Sequence, residues 1–261
     1  MKELILSTLS AECPWRDTLH WFDCIDSTNS EAKRIAKSAP HGTVLIAGSQ
    51  TGGRGRMGRQ FVSAPGGVYL SAILRPDCAP EALMHLTCAA GVAMCNAVQQ
   101  LTGLRPSIKW TNDLVVGKKK LGGILTELSV NPQTGLVDYA VVGIGINCCQ
   151  KNFPAPLQAI VTTLQEVTGA QIQLHHLAAA MVDALVDMAD TLLSQKAHWM
   201  DAYRADCITL GQPVSVVRGE EIRHGTALNV DDNGALAVRF DTGTEIVNSG
   251  EVSVRGMYGY V

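Results

Sequence analysis

The alternation of apolar and polar positions divides the chain into segments of different period. "TVLIAGSQ" (43–50) and "GVYLSAIL" (67–74) are short apolar runs, the second closed by Pro76 and Pro80, and both predict buried strands. "DYAVVGIGIN" (138–147) is a longer run whose continuity predicts a strand in a sheet interior. "DSTNSEAKRIAKSA" offers Ser27, Thr28 or Asn29 as a helix cap, Glu31 in the first turn, and Ala32, Ile35 and Ala36 on one face. Residues 81–101 read as one long helix stopped by Gly103 and Pro106. "SIKW" (107–110) precedes a predicted loop, "TNDLVVGKKKLG", then a strand, "GILTELS", and a turn, "NPQTG". Helical patterns cover 157–168 and 174–205. From Gly211 the period shortens to 2, in "QPVSVVRG", "IRHGTALNVD", "GALAVRF" and "TEIVNSG", which predicts a small C-terminal barrel. The expected division is residues 1–209 and 210–261.

A chain of 261 residues buries a substantial core, and 46% hydrophobic with 17% charged residues is an ordinary globular balance. The net charge of −3 excludes a global field toward nucleic acid or membrane, so a polyanion partner would need a local patch. The eight cysteines form no C-x-x-C pair, which argues against a disulfide framework and a zinc site and for a reducing cytoplasm. The start "MKELILSTLSAEC" is broken by Ser7, Thr8 and Ser10 and does not read as a signal peptide. No run of about 18 apolar residues is present to span a bilayer.

The densest local patch is "TGGRGRMGRQ" (51–60), with arginines at 54, 56 and 59. Gly53, Gly55 and Gly58 spell the dinucleotide fingerprint G-x-G-x-x-G, but "RQFVSAPGGVYL" follows, and Pro65-Gly66-Gly67 forbids the helix that the fingerprint requires. No G-x-x-x-x-G-K-[ST] occurs either. Arginines this close repel one another unless an anion sits among them, whereas a solvated basic turn is the plain alternative. A second stretch, "KWTNDLVVGKKKLGGILTE" (109–127), gathers Lys109, Asn112, Asp113 and Lys120 around Gly122-Gly123. Singly these are an Asx turn, a lysine-rich hairpin tip and a bulge. Beside the arginine loop they point to a site for a polyanion and a carboxylate-bearing partner.

"DSTN", "SQTGGRGRMGR", "KWTNDL", "KKKLGGILTE" and "GIGINC" together resemble the biotin protein ligases in order and spacing, from about Ser27 to Arg255 in "GEVSVRG". The resemblance implies an α+β fold: a mixed β-sheet with helices, of the class II synthetase-like biotin/lipoate ligase kind, and a C-terminal SH3-like β-barrel. It implies that biotin and ATP are joined as biotinyl-5′-AMP and that the biotinyl group passes to a lysine of a biotin carboxyl carrier protein, such as an acetyl-CoA carboxylase subunit. Three positions depart from the family pattern: Thr111 for a proline, Phe61 for a tryptophan, and Val161 where one relative has tryptophan near the adenine.

By this resemblance Ser27, Thr28, Gln50, Gly53 and Gly123 hold biotin together with Arg54, Arg56 and Lys120. Arg56, Arg59, Lys109, Asn112, Lys120 and Asn147 hold ATP or the adenylate. A biotin carboxylate and an α-phosphate repel, so fixed positive charge has to cancel that repulsion, and Lys120 is the expected bridge. Arg54 and Arg56 clamp the two anions. Mg²⁺ rides on the triphosphate with Asn112 nearby. Asp113 either takes the acceptor lysine's proton or orients Lys109 or Lys120. Lipoate or octanoate ligases share the fold and the acyl-adenylate chemistry, but the arginine loop argues against them. A non-catalytic sensor should have lost Lys120 or Asp113. A DNA-binding repressor needs a helix-turn-helix of about 50–60 residues ahead of the catalytic part, and 26 precede Ser27, so no specific DNA binding is expected. A homodimer is a family tendency.

Overall fold

Seven strands form the principal sheet in the computed structural model of the chain, which describes residues 1–151, 153–249 and, as backbone, 253–256. They are β1 (Leu19–Phe22), β2 (Thr43–Ala47), β3 (Gly67–Leu74), β4 (Ser107–Lys109), β5 (Asp113–Val116), β6 (Lys119–Val130) and β7 (Val137–Asn147), in the order β1-β2-β3-β7-β6-β5-β4. β1 and β2 run parallel and the other pairs antiparallel, so the sheet is mixed, as expected. The helices are α1 (Lys2–Thr8), α2 (Thr28–Ile35), α3 (Leu86–Thr102), α4 (Ala155–Gln158), α5 (Leu164–Thr168), α6 (Leu174–Thr191) and α7 (Lys196–Asp206). A second, antiparallel sheet follows from β8 (Pro213–Arg218), β9 (Glu221–Val230), β10 (Leu236–Phe240), β11 (Gly243–Val247) and β12 (Ser253–Gly256), in the order β11-β10-β9-β8-β12. Gly250 to Val252, the start of the closing "GEVSVRG", lie outside the described residues.

The period of 2 sorts side chains onto two faces. Val44, Ile46, Leu70, Ala72, Val142 and Ile144 belong to the large core shared with α3 and α6. Leu45, Ile73 and Val141, one step out of phase, form a smaller cluster with Ala32 and Ala36 of α2. Both faces are covered, which is why these strands read as unbroken apolar runs. Ser27 caps α2 by accepting the Ser30 N–H at 3.3 Å. Gly103 ends α3 in the left-handed region at φ 74°. Residues 80–102 are long and apolar enough to cross a membrane, yet 72% of the window is buried in the protein, as befits a core helix.

Several boundaries differ from the expectation. The helix expected over 81–101 opens as a 3₁₀ turn, Pro80–Leu83, and becomes α-helical at Leu86. "TNDLVVGKKKLG" is not a loop but the hairpin of β5 and β6, turning at Gly117 (φ 60°). Leu114, Val115 and Leu121 are buried, and the apolar positions of this hairpin outweigh its lysines. The helix expected over 157–168 is interrupted, because Val161 makes a parallel bridge to Lys120 and leaves α4 and α5 short. The segment 174–205 is two helices separated by a turn from Leu192, whose carbonyl is held by the buried His85 ring at 2.9 Å. α1 and β1 carry little periodic signal in the sequence. They consist of a short apolar stripe and an edge strand of four residues.

Candidate functional site

One cleft of about 390 Å³ collects most of the residues singled out in the sequence. The start of α2 contributes Ser27, Thr28 and Asn29, and the stretch after β2 contributes Gln50, Arg54, Arg56, Arg59 and Phe61. The strand ends around β4 and β5 contribute Lys109, Trp110, Asn112 and Asp113. β6 adds Lys120, Gly123, Ile124 and Leu125, and β7 adds Gly143, Ile144 and Gly145.

The glycines make room on the floor. A Cβ on Gly143 would stand 1.8 Å from Asn29 Oδ1, and one on Gly145 would stand 2.6 Å from the Phe61 ring. Phe61 thus lies flush against β7, edge-on to Tyr69 at 6.4 Å and 5.7 Å beneath the Lys120 ammonium.

One wall is neutral and tightly hydrogen-bonded. Gln50 Oε1 accepts the Thr28 N–H at 2.8 Å, and Gln50 Nε2 donates to Ser63 Oγ at 2.8 Å. Ser71, wholly buried on β3, contacts Thr28 Oγ1 at 2.8 Å and Asn29 Oδ1 at 2.6 Å. Asn29 Nδ2 donates to Leu125 O at 3.2 Å and to Glu127 Oε2 at 3.1 Å. Glu127 also takes Lys33 at 2.7 Å and lies 3.8 Å from Arg54. Burial would raise its pKa. The hydrogen bonds from Lys33 and Asn29, with the charges of Lys33 and Arg54, outweigh burial and hold it below the usual carboxylate range.

The opposite rim is cationic. Lys120 Nζ donates to Asp113 Oδ1 at 2.5 Å. Asp113 faces Gly123 across the β5–β6 register, and an irregularity after Leu114 brings Lys120 opposite Val115. Asn112 is tied to β6 by Nδ2 donating to Ile124 O at 2.8 Å, which leaves its Oδ1 to accept from Arg56 at 3.1 Å. Arg56 also donates to the carbonyl of Ser249, so the turn after β11 reaches the arginine loop. Burial lowers the Arg56 pKa against the pull of Asp113, and Arg59 adds to the lowering. The loop itself turns through Met57 at φ 54° and closes with Gly55 N–H to Arg59 O at 2.7 Å. A half-buried cation without a full counter-charge costs something to hold, and an anionic ligand offsets that cost.

Two expected residues lie elsewhere. Gly53 does not line the cleft; its missing Cβ avoids Phe61 O at 2.3 Å and Ser63 Oγ at 2.4 Å, so it shapes the loop from behind. Asn147 is buried, donating to Thr162 O at 3.2 Å and accepting from Gln150 at 3.2 Å, and it too is outside the lining. Val161 is likewise not in the lining. Thr111 is buried behind the rim after a cis Trp110–Thr111 peptide, and its carbonyl accepts from Tyr203 Oη at 3.2 Å. Sequence reasoning missed Ser63, Ser71 and Glu127, along with the floor glycines Gly143 and Gly145. "GIGIN", with glycines alternating on a buried strand, was a readable signal for the floor.

The fold and site define an α+β protein in which a mixed sheet carries a cleft with a neutral wall and a cationic rim, followed by a small antiparallel sheet. Residues 21–147 match the Biotin/lipoate A/B protein ligase family, and residues 209–255 match the Biotin protein ligase C terminal domain. The bifunctional ligase/repressor BirA of Bacillus subtilis is 32% identical over 245 residues, 90% of this chain and 74% of that protein. The biotin–[acetyl-CoA-carboxylase] ligase of Paracoccus denitrificans is 29% identical over 237 residues, 88% of this chain and 98% of that one. The structure of biotin protein ligase from Aquifex aeolicus in complex with biotin and ATP superposes with a TM-score of 0.78 at 29% identity, covering 91% of this chain and 98% of that one. The chain belongs to the biotin protein ligase family.

Proposed function

We propose that this ligase joins biotin to ATP as biotinyl-5′-AMP and passes the biotinyl group to a lysine of a biotin carboxyl carrier protein. The observation that carries the reading is the division of one cleft into a neutral, hydrogen-bonded wall and a rim of Arg54, Arg56, Arg59 and Lys120. The wall suits a ureido ring, which needs paired donors and acceptors in a dry pocket. The rim suits a carboxylate meeting an α-phosphate.

In the first step a carboxylate oxygen of biotin attacks the α-phosphorus and pyrophosphate leaves. Lys120 lies where it can bridge both anions once it swings from Asp113, and Arg54 and Arg56 hold them together. Arg59 and Lys109 are assigned to the phosphates. In the second step the carrier lysine attacks the acyl carbonyl, an amide forms, and AMP leaves with the electrons of the broken C–O bond. Asp113 is assigned to take the ammonium proton after Lys120 has released it. Mg²⁺ would supply charge neutralisation on the triphosphate. Among the described residues no three His, Cys, Asp or Glu side chains gather to hold a metal. The nearby donors, Asn112 Oδ1 and Asp113, are engaged with Arg56 and Lys120. This set fits an ion carried in by the nucleotide, not a dedicated protein cage.

All eight cysteines are unpaired, which supports placement in a reducing cytoplasm. Biotin-dependent exchange of labelled pyrophosphate into ATP tests the reading. Exchange with lipoate or octanoate and none with biotin would assign the chain to the sister activity. Sequence-selective, salt-resistant gel shifts would overturn the expectation that it does not bind specific DNA.

A further inference from the structure

Lys120 stands where the principal sheet changes neighbours. β7 accompanies β6 as far as Ile146 opposite Gly122 and ends at Asn147. Beyond that point Lys120 meets residues 160–162 instead. Its N–H donates to Ile160 O at 2.8 Å, its carbonyl accepts the Thr162 N–H at 2.9 Å, and Val161 lies beside it as a parallel bridge. Lys120 is also close to Gly117, the turn of the β5–β6 hairpin, where a strand end readily frays. Thr162 is buried and bonded through every polar group it has. Its N–H goes to Lys120, its carbonyl accepts from Asn147 Nδ2 at 3.2 Å, and its hydroxyl donates to Glu166 Oε2 at 2.9 Å. The other Glu166 oxygen takes Lys119 Nζ at 3.3 Å, and the Glu166 N–H donates to Thr163 Oγ1 at 3.1 Å, which holds the residue at the start of α5. These contacts close a ring from Lys119 through Lys120, Thr162 and Glu166 back to Lys119. The Thr162 hydroxyl first, and Lys119 after it, hold the Glu166 carboxyl below the usual carboxylate range.

We propose that Thr162 and Glu166 are positioning residues for Lys120: their clasp pins the lysine's peptide, so that only its side chain moves when Nζ leaves Asp113 for the anions. Neither residue lines the cleft, so both act through Lys120. The exposed Lys119–Glu166 pair contributes little by itself. The Thr162 hydroxyl is different, because it is buried at the end of the pairing that holds Lys120 and ties that pairing to a charged acceptor. Misplacing a reacting charge by about 1 Å costs up to about 10² in rate where preorganised electrostatics does the chemistry. This role rests on the reading of Lys120 as the bridge between the biotin carboxylate and the α-phosphate.

Biotin-dependent pyrophosphate exchange, urea unfolding and native-state amide hydrogen exchange of the full chain test this together. Thr162→Val removes the hydroxyl and keeps the shape. Its maximal pyrophosphate exchange rate should fall about tenfold, with the KM values for biotin and ATP within about twofold of wild type. The Lys120 amide should lose protection in that variant while the urea midpoint stays close to wild type. Thr162→Ser keeps the hydroxyl but gives up a buried methyl, so it should unfold at lower urea and yet turn over within about twofold of wild type. Stability and activity then rank the two variants in opposite orders, which a merely structural threonine would not do. Glu166→Ala should match Thr162→Val, and the double variant should lose no more than either, since both open one clasp. Activity that follows the urea midpoint, an unchanged Lys120 amide, or a loss confined to the KM for ATP would overturn the proposal. Glu166 is exposed, so Glu166→Ala carries the test if Thr162→Val does not fold. A wild-type chain without biotin-dependent exchange would overturn the biotin reading itself, and the Lys120 amide would still decide whether the clasp holds.

Discussion

The neutral wall and the cationic rim line one cleft and are built in opposite ways. In the wall, Thr28, Asn29, Ser63 and Ser71 are buried, and each polar group is engaged with another protein group. The rim rides on a turn with Met57 at positive φ and an Arg54 side chain 47% exposed. Hydrogen bonds completed before the ligand arrives make the wall rigid and selective. Cations held close to one another, with Arg54 beside Glu127 and Lys120 on Asp113, leave the rim ready to change partners. The contrast matches the chemistry: recognition of a fixed ring needs preorganisation, whereas transfer through an anionic intermediate needs charge that can follow it.

The contrast breaks most sharply at Lys120. Lys120→Ala should lower biotin-dependent pyrophosphate exchange by about 10²–10³-fold while biotin binding survives, because the wall is untouched. Exchange within a few-fold of wild type would remove Lys120 from the first step. Arg56→Gly removes a charge-assisted contact of about 1.5–3 kcal/mol and should weaken the hold on the adenylate by about ten- to a hundredfold. That variant should still release pyrophosphate but label serum albumin with biotin. Unlabelled albumin with continued pyrophosphate release would mean that Arg56 is no clamp.

A substitution in the floor should damage the wall and the fold together. Gly143→Ala places a methyl group 1.8 Å from Asn29 Oδ1 and should cost about 1–3 kcal/mol in urea unfolding, with biotin affinity falling alongside. An unchanged midpoint would show that the wall relaxes freely. The smallest effect is expected at Glu127, where wall and rim touch. Its folded-state pKa lies below the unfolded value of about 4.3, so its contribution is complete above that pH and disappears as pH falls through the folded value. Glu127→Gln should destabilise by about 1 kcal/mol at pH 7, with the two unfolding curves converging below about pH 4. A difference independent of pH would mean that packing, not charge, is lost.

Rim residues were legible because charge in a glycine loop is conspicuous: Arg54, Arg56 and Arg59 within six residues repel one another unless an anion sits among them. Wall residues were only half legible. Ser27, Thr28 and Gln50 entered through motif resemblance, whereas Ser71 looked like one polar position in an apolar strand. The hairpin of β5 and β6 was hidden by three consecutive lysines, whose polarity masks the buried Leu114, Val115 and Leu121 on either side. Asn147 entered as a site residue through motif resemblance, and the structure shows its amide bonded to Thr162 and Gln150 outside the cleft lining.

What the sequence determined by itself was local: a helix cap among Ser27, Thr28 and Asn29, the stop at Gly103, the buried strands, the change to short β segments after Gly211, and the clustering of charge. Those features depend on neighbours within one turn or one strand, where period and propensity act directly. Tertiary structure decided which groups meet. Ser71 reaches Asn29 across 42 residues, Asn29 reaches Glu127 across 98, and Arg56 reaches Ser249 across 193. No local rule breaks a helical pattern at Val161, which bridges to Lys120. These follow from the pairing of strands distant in sequence and from the requirement that every buried polar group find a partner.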